Sequence, residues 1–265
     1  MPPSSTNLIS LIFWLVQDEI MIIGQNLGFK KEKDIVEVLD GKLFKDLHPT
    51  YQKLISSKIP TISSSEKILC EKKEGKSLEK KTDLIISASK QKINVSVKLG
   101  NSNSVHQENI NEFIEYLSNI KLLNQAEKNY IYNFHWCDGT YDNSGLLSDR
   151  QKKNIYKKLN PNDYVIYMAT LDSYKNAIFD RVLLGTKNIP DYLIHFKNKE
   201  EEIPKVFNYN DLLTEHMKPS DTQSRIGLFT VQNTNSCLSG QDLKEKPKKT
   251  RNDIQFKIQD LFKLR

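Results

Sequence analysis

Between residues 83 and 99 the order of apolar and polar positions predicts two strands joined by a turn. Leu84, Ile85 and Ile86 form an apolar run that Asp83 opens. Residues 92–99 then alternate, with Ile93, Val95, Val97 and Leu99 on one side and Asn94, Ser96 and Lys98 on the other. An antiparallel hairpin through residues 87–91 sets the Asp83 carboxylate beside Ser96 and Lys98, on the side away from the apolar layer. Gly100-Asn101-Ser102-Asn103 breaks the second strand. Ser104-Val105-His106-Gln107 has the form of a capping box and predicts a helix over 109–117. Ile110, Phe113, Ile114 and Leu117 make its apolar stripe, and Glu108, Glu112 and Glu115 gather roughly opposite. Three acids opposite a core stripe also describe a solvated face, and Glu108 in a first turn suits the helix dipole.

The flanking patterns fill in the architecture. Residues 1–24 predict an N-terminal helix, and 30–57 predict further helix around Ile35, Val36, Val38, Leu39 and Leu43. Residues 63–81 are charged and polar, with Glu66, Glu71, Glu74 and Glu79 lying upstream of Asp83. An aromatic run, Tyr130 to Trp136, ends in turn signals at Asp138-Gly139 and Asn143-Ser144-Gly145. Tyr164 to Met168 and Tyr192 to Phe196 read as strands on either side of a helix over 173–184. Residues 226–232 predict another strand, and 253–264 an amphipathic helix with Ile254, Ile258, Leu261 and Phe262 on one stripe. Helices and strands mixed in this way predict an α/β fold, a central mixed β-sheet flanked by helices. Three regions are expected: a helical lead-in over 1–60, a core over 61–200 and a C-terminal region over 201–265, together one continuous globular unit.

Composition narrows the setting. Lys and Arg number 39 against 33 Asp and Glu, and the net charge of +6 is compatible with a phosphate-rich partner without indicating one. Cys70, Cys137 and Cys237 are too few and too scattered for a disulfide framework or a Cys-x-x-Cys zinc site, which points to a reducing cytoplasm. The apolar stretch over 7–24 is interrupted by Gln17, Asp18 and Glu19 and has no basic segment before it, so a buried helix is expected there and no membrane partner.

An Asp at a strand start, a Lys on the next strand and an acid-bearing helix after it resemble the PD-(D/E)XK nucleases, and among them the type II restriction endonucleases. The family pattern has an acid two residues before the Lys, where this chain has Ser96, and a Pro before the Asp, where it has Thr82. In a variant of that family Ser-x-Lys replaces acid-x-Lys and the following helix supplies the missing carboxylate. Glu112, 112 − 98 = 14 positions beyond Lys98, has the spacing of that variant, and Glu108 is the competing donor. The Trp136-Cys137-Asp138-Gly139-Thr140 segment and Arg150 also look like a restriction-enzyme pattern. Read without the resemblance, His135 and Trp136 are packing residues, Asp138 is a turn former and His195 is a hydrogen-bonded core residue.

The resemblance implies a restriction-endonuclease-like core and a Mg²⁺-dependent endonuclease that hydrolyses double-stranded DNA at a specific sequence. Its candidate catalytic residues are Asp83, Ser96, Lys98, Glu108 and Glu112, with Asp83 and Glu108 or Glu112 as metal ligands. Phosphodiester hydrolysis needs an activated water and relief of charge on the phosphorane, which carboxylate-held Mg²⁺ and a nearby ammonium group provide. Ser96 is a positional group in this scheme. Gln232, Asn233, Asn235, Lys249 and Arg251 are candidate DNA contacts, since amides read adenine edges, Arg reads guanine and cations neutralise phosphates. Ordinary turn material and a solvated linker describe the same residues. A homodimer suits cleavage of both strands of a palindrome. A structure-selective repair or junction-resolving nuclease, and a non-catalytic DNA-binding protein with a decayed site, are the competing readings.

Overall fold

The computed structural model describes residues 30–73, 81–100, 104–146, 149–185, 187–198, 200–201, 203–219, 225–233, 252–258, 261 and 264. The predicted helix over 1–24 lies outside them. The chain forms two compact units, and it passes between them more than once. The described residues up to 73, 82–100 and 190–207 build the first, and residues 81, 104–189 and 208–264 the second.

In the first unit, helix α1 spans 30–39 and α2 spans Pro49–Lys58, so the predicted helix over 30–57 is broken in its middle. His48 caps α2 by accepting from the Thr50 amide, and Pro49 occupies its first turn. Strands β1 (Leu69–Lys72), β2 (Leu84–Ala88) and β3 (Gln91–Leu99) follow. The chain then enters the second unit through β4 (Ser104–Asn109) and returns at β5 (Tyr192–Phe196) and β6 (Lys205–Asn208). The resulting sheet has the order β1-β2-β3-β5-β6, with β1, β2 and β3 antiparallel and β3 parallel to β5. It is the predicted mixed sheet. Ser89 and Lys90 both take left-handed backbone angles, the geometry that closes a two-residue hairpin between β2 and β3. Ile86, Ile93, Val95, Val97, Ile194 and Phe196 share one face of the sheet and pack with Ile35 and Leu39 of α1 and Leu54 and Ile55 of α2.

The second unit departs from the sequence expectation in three places. Residues 104–109 are a strand, not the start of a helix. His106 and Glu108 are buried while Gln107 is exposed, a period of two that the Ser-x-x-Gln pattern conceals. Helix α3 (Ile110–Ile120) covers the predicted 109–117, but its cap is Asn109, accepting from the Asn111 amide, and not Ser104. Beyond α4 (Gln125–Trp136) and α5 (Lys153–Leu159), residues 164–168 lie in helix α6 (Pro161–Ser173) instead of a strand. Tyr164 and Tyr167, three apart, bury against Phe134 of α4 with ring centroids at 5.3 and 5.0 Å, while Val165 and Ile166 face out. The predicted helix over 173–184 is present as α7 (Lys175–Phe179) continuing into a π-helical turn, Asp180–Leu184.

After α8 (Tyr209–Met217), the expected strand over 226–232 is a tight hairpin of β7 (Arg225–Ile226) and β8 (Phe229–Asn233). The expected helix over 253–264 is strand β9 (Asp253–Ile258), paired between β4 and β8. A spacing of four is even, so Ile254 and Ile258 satisfy a strand face as well as a helical stripe, and buried Phe256 between them decides for the strand.

His216 of α8 locks the β7–β8 turn. The Leu228 amide donates to His216 Nδ1 at 3.1 Å, so Nε2 carries the proton and donates to the Lys175 carbonyl at 2.9 Å. Gly227 has φ +54, and a side chain there would bring its Cβ within 2.1 Å of the His216 carbonyl oxygen. Burial pushes the His216 pKa down to about 4, and nearby Lys175 adds to the effect. Unfolded, the imidazole returns to about 6.5 and binds more protons than in the native state between those values, so stability falls as pH falls. Chemical denaturation measured between pH 6.5 and 4 is expected to show about 3 kcal/mol of loss from this group. His216→Gln is expected to flatten that dependence from a lower starting stability, and an unchanged slope counts against the assignment.

Candidate active site

The face of the first sheet opposite the apolar core carries Asn94, Ser96, Lys98 and His195 beside buried Ile85 and Leu193, and pairing brings its polar groups into adjacent rows. Asp83 sits at the entry to β2, held by its amide on the Val95 carbonyl at 2.8 Å and by its carbonyl accepting from the Lys73 amide at 2.9 Å. Its side chain is buried, and Oδ2 accepts from the Val97 amide at 2.7 Å and the Ser96 hydroxyl at 3.1 Å. The Lys98 ammonium lies 3.7 Å from the same oxygen and donates to the Val97 carbonyl at 3.2 Å. The alternation on β3 that keeps Val95 and Val97 in the apolar core turns Ser96 and Lys98 the other way.

In the parallel pairing of β3 with β5, His195 is the register partner of Lys98, which puts both on this polar face. His195 is buried, as the sequence suggests. Its Nε2 donates to the Gly100 carbonyl at 2.6 Å, while the Gly100 amide donates to the Phe196 carbonyl at 2.8 Å. The peptide that ends β3, two residues after Lys98, is therefore gripped from both sides by β5. Gly100 has φ +97, a conformation that favours glycine at this exit.

Among solved structures, the restriction endonuclease MspI in complex with its cognate DNA matches over 97% of this chain and 100% of that one, with a TM-score of 0.59 and 15% identity. The fold is that of a restriction endonuclease. No protein-family model matches the chain, and no curated protein sequence matches it.

Asp83, Ser96 and Lys98 stand together in the first unit, whereas Glu108 and Glu112 belong to the second. Glu108 is not on the helix but on β4, where it is buried. Arg181 donates to both of its oxygens, with Nη2 at 2.7 Å from Oε2 and Nε at 3.2 and 3.3 Å from Oε2 and Oε1. The Lys81 ammonium donates to His106 Nδ1 at 2.7 Å, so His106 presents an Nε2–H to Glu108 Oε1 at 2.6 Å. Burial opposes the Glu108 charge, but the hydrogen bonds from His106 and Arg181 outweigh it and hold the carboxyl below its ordinary range. Burial also lowers the His106 pKa, with Lys81 assisting, and the ring stays neutral. Arg181 had no signature in the sequence beyond its place in a helical run. Glu112 is exposed in the first turn of α3, near the positive end of the helix.

Among the described residues no three His, Cys, Asp or Glu side chains gather as a metal-binding group. Of the upstream acids, Glu66 accepts from the Ser89 amide, Glu71 is exposed on β1, and Glu74 and Glu79 lie outside the described residues. Asp138 acts as a turn former, its Oδ1 accepting from the Thr140 amide and hydroxyl. Gln232 and Asn233 lie on β8, paired with Gln255 and Ile254 of β9. Asn235, Lys249 and Arg251 lie outside the described residues.

Arg181→Ala leaves a carboxylate buried without its cation and is expected to cost about 3 kcal/mol in urea denaturation. Glu112→Ala, on an exposed position, is expected to stay within about 0.5 kcal/mol of the parent.

Proposed function

We propose that the protein is a Mg²⁺-dependent endonuclease that cuts double-stranded DNA in the manner of a type II restriction enzyme. The observation that carries this reading is the Asp83 carboxylate fixed 3.7 Å from the Lys98 ammonium, on the polar face of the sheet in a restriction-endonuclease fold. The match of the chain to a structure solved with cognate DNA supports a DNA substrate.

The donor set suits a hard divalent cation. Asp83 supplies carboxylate oxygen on a rigid strand entry, and two hydrogen bonds to Oδ2 fix how the group is presented. Glu108 has both oxygens taken by Arg181 and His106 and serves the second unit as an internal ion pair. Glu112 keeps a solvent-facing carboxylate in the second unit. When bound, Mg²⁺ supplies charge relief at the scissile phosphate and lowers the pKa of an attacking water. Lys98 Nζ adds a fixed positive charge and three donors, which orient that water and stabilise the developing phosphorane oxygens. Ser96 gives its hydroxyl hydrogen to Asp83, so its work is to aim the carboxylate and not to attack phosphorus.

Lys98→Ala and Asp83→Asn are each expected to lower Mg²⁺-supported cleavage of a sequence-diverse plasmid mixture by about 10³-fold. Duplex binding measured without divalent ions is expected to stay within a few-fold. Wild-type cutting rates in either variant remove the assignment.

A further inference from the structure

The sheet of the second unit, ordered β4-β9-β8-β7, has one apolar and one polar face. Ile254, Phe256 and Ile258 of β9 and Phe229 and Val231 of β8 are buried, and the alternate residues turn the other way. Strand pairing then places Gln107, Gln255 and Gln232 in one row across β4, β9 and β8. The next row is Lys257, Thr230 and Arg225 across β9, β8 and β7. Neighbouring strands lie about 4.8 Å apart, so the three amides span about 10 Å, within the roughly 12 Å width of a DNA major groove.

We propose that this face reads DNA, with the side-chain amides of Gln232 and Gln255 on base edges in the major groove and Lys257 and Arg225 on the flanking phosphates. The inference rests on the nuclease reading above and extends it to the residues that select sequence. A carboxamide carries a donor and an acceptor side by side, the pattern that matches adenine N6 and N7. Among the described residues the side-chain amides of Gln232 and Gln255 have no hydrogen-bond partner, so their donors and acceptors are open to a ligand. Gln107 differs, since its amide donates to Asp253 Oδ2 at 2.8 Å and is engaged there. Lys257 and Arg225 are the charged side chains of the second row, and both carry N–H donors of the kind a phosphate oxygen accepts. The two rows hold no large apolar side chain of the kind that anchors a protein partner. Because the amides stand on paired strands and not on a loop, little backbone freedom is lost when they bind.

The test uses the full chain carrying Lys98→Ala, so that DNA is bound without being cut, and a pool of randomised duplexes selected in the absence of divalent ions. The parent is expected to enrich defined base positions. Gln232→Ala and Gln255→Ala are each expected to lose about fivefold or more of the discrimination at one base pair while total affinity for the pool changes little. Gln255→Glu keeps the shape of the side chain and is expected to lose the same discrimination, which separates readout from folding. Lys257→Ala is expected to weaken all sequences alike and to reduce the slope of affinity against salt by about one. An unchanged motif in both glutamine variants, a preference for single-stranded RNA over duplex, or no enrichment by the parent overturns the inference. Cleavage by the wild-type protein is scored separately. If it cuts DNA while the variants keep the motif, only this inference fails; if it never cuts but the variants lose the motif, only the nuclease reading fails.

Discussion

One carboxylate oxygen organises the polar side of the first sheet. Oδ2 of Asp83 takes a backbone hydrogen from Val97 and a hydroxyl hydrogen from Ser96 and stands beside the Lys98 ammonium. A buried carboxylate without such donors is costly, so the contacts that make its burial tolerable are also those that aim it. Ser96 occupies a position where the acid-x-Lys pattern would bring a second carboxylate. A hydroxyl there donates to Asp83, whereas another anion at the same spacing would repel it and raise one of the two pKa values. The departure from the familiar pattern is thus consistent with the geometry around it.

The stretch 83–99 was legible because its alternation is strict and its turn falls in a short polar break, leaving one register that buries the valines. Elsewhere the same letters fit two periods. Ile254 and Ile258 suit a helical stripe and a strand face equally, and only the buried partners of Phe256 on the strands to either side, His106 and Val231, show that Phe256 belongs in the same layer. Tyr164 to Met168 is rich in residues that favour strands, yet the shape of Phe134 selects the helical pair Tyr164 and Tyr167. Local preference yielded to packing in both cases.

Glu108 shows how a residue type misleads when its partner is far along the chain. Its place after a lysine strand suggests a ligand, but Arg181 is 73 positions away and nothing near Glu108 announces it. The order Lys81, His106, Glu108, Arg181 alternates donor and acceptor without a gap. Such a chain is stable only when complete, because each polar group relies on its neighbour for the hydrogen bond that water would otherwise supply. The glutamine row was hidden for a related reason: Gln107, Gln232 and Gln255 are scattered in sequence and become one row only through pairing, and of the three only Gln232 stood among the sequence candidates.

The connectivity of the first unit carries a consequence for biosynthesis. β3 pairs with β5, and His195 and Gly100, which join across that pair, are 95 positions apart. While a ribosome is extending the intervening segment, the central strand of the nascent sheet has one edge with no partner, a template for association with other chains. Closing so long a loop late in synthesis makes completion of this sheet a slow, non-local event. Lys98 sits on that waiting strand, so the lysine end of β3 acquires its His195 and Phe196 clamp only after the 95 positions that separate Gly100 from His195 have been made.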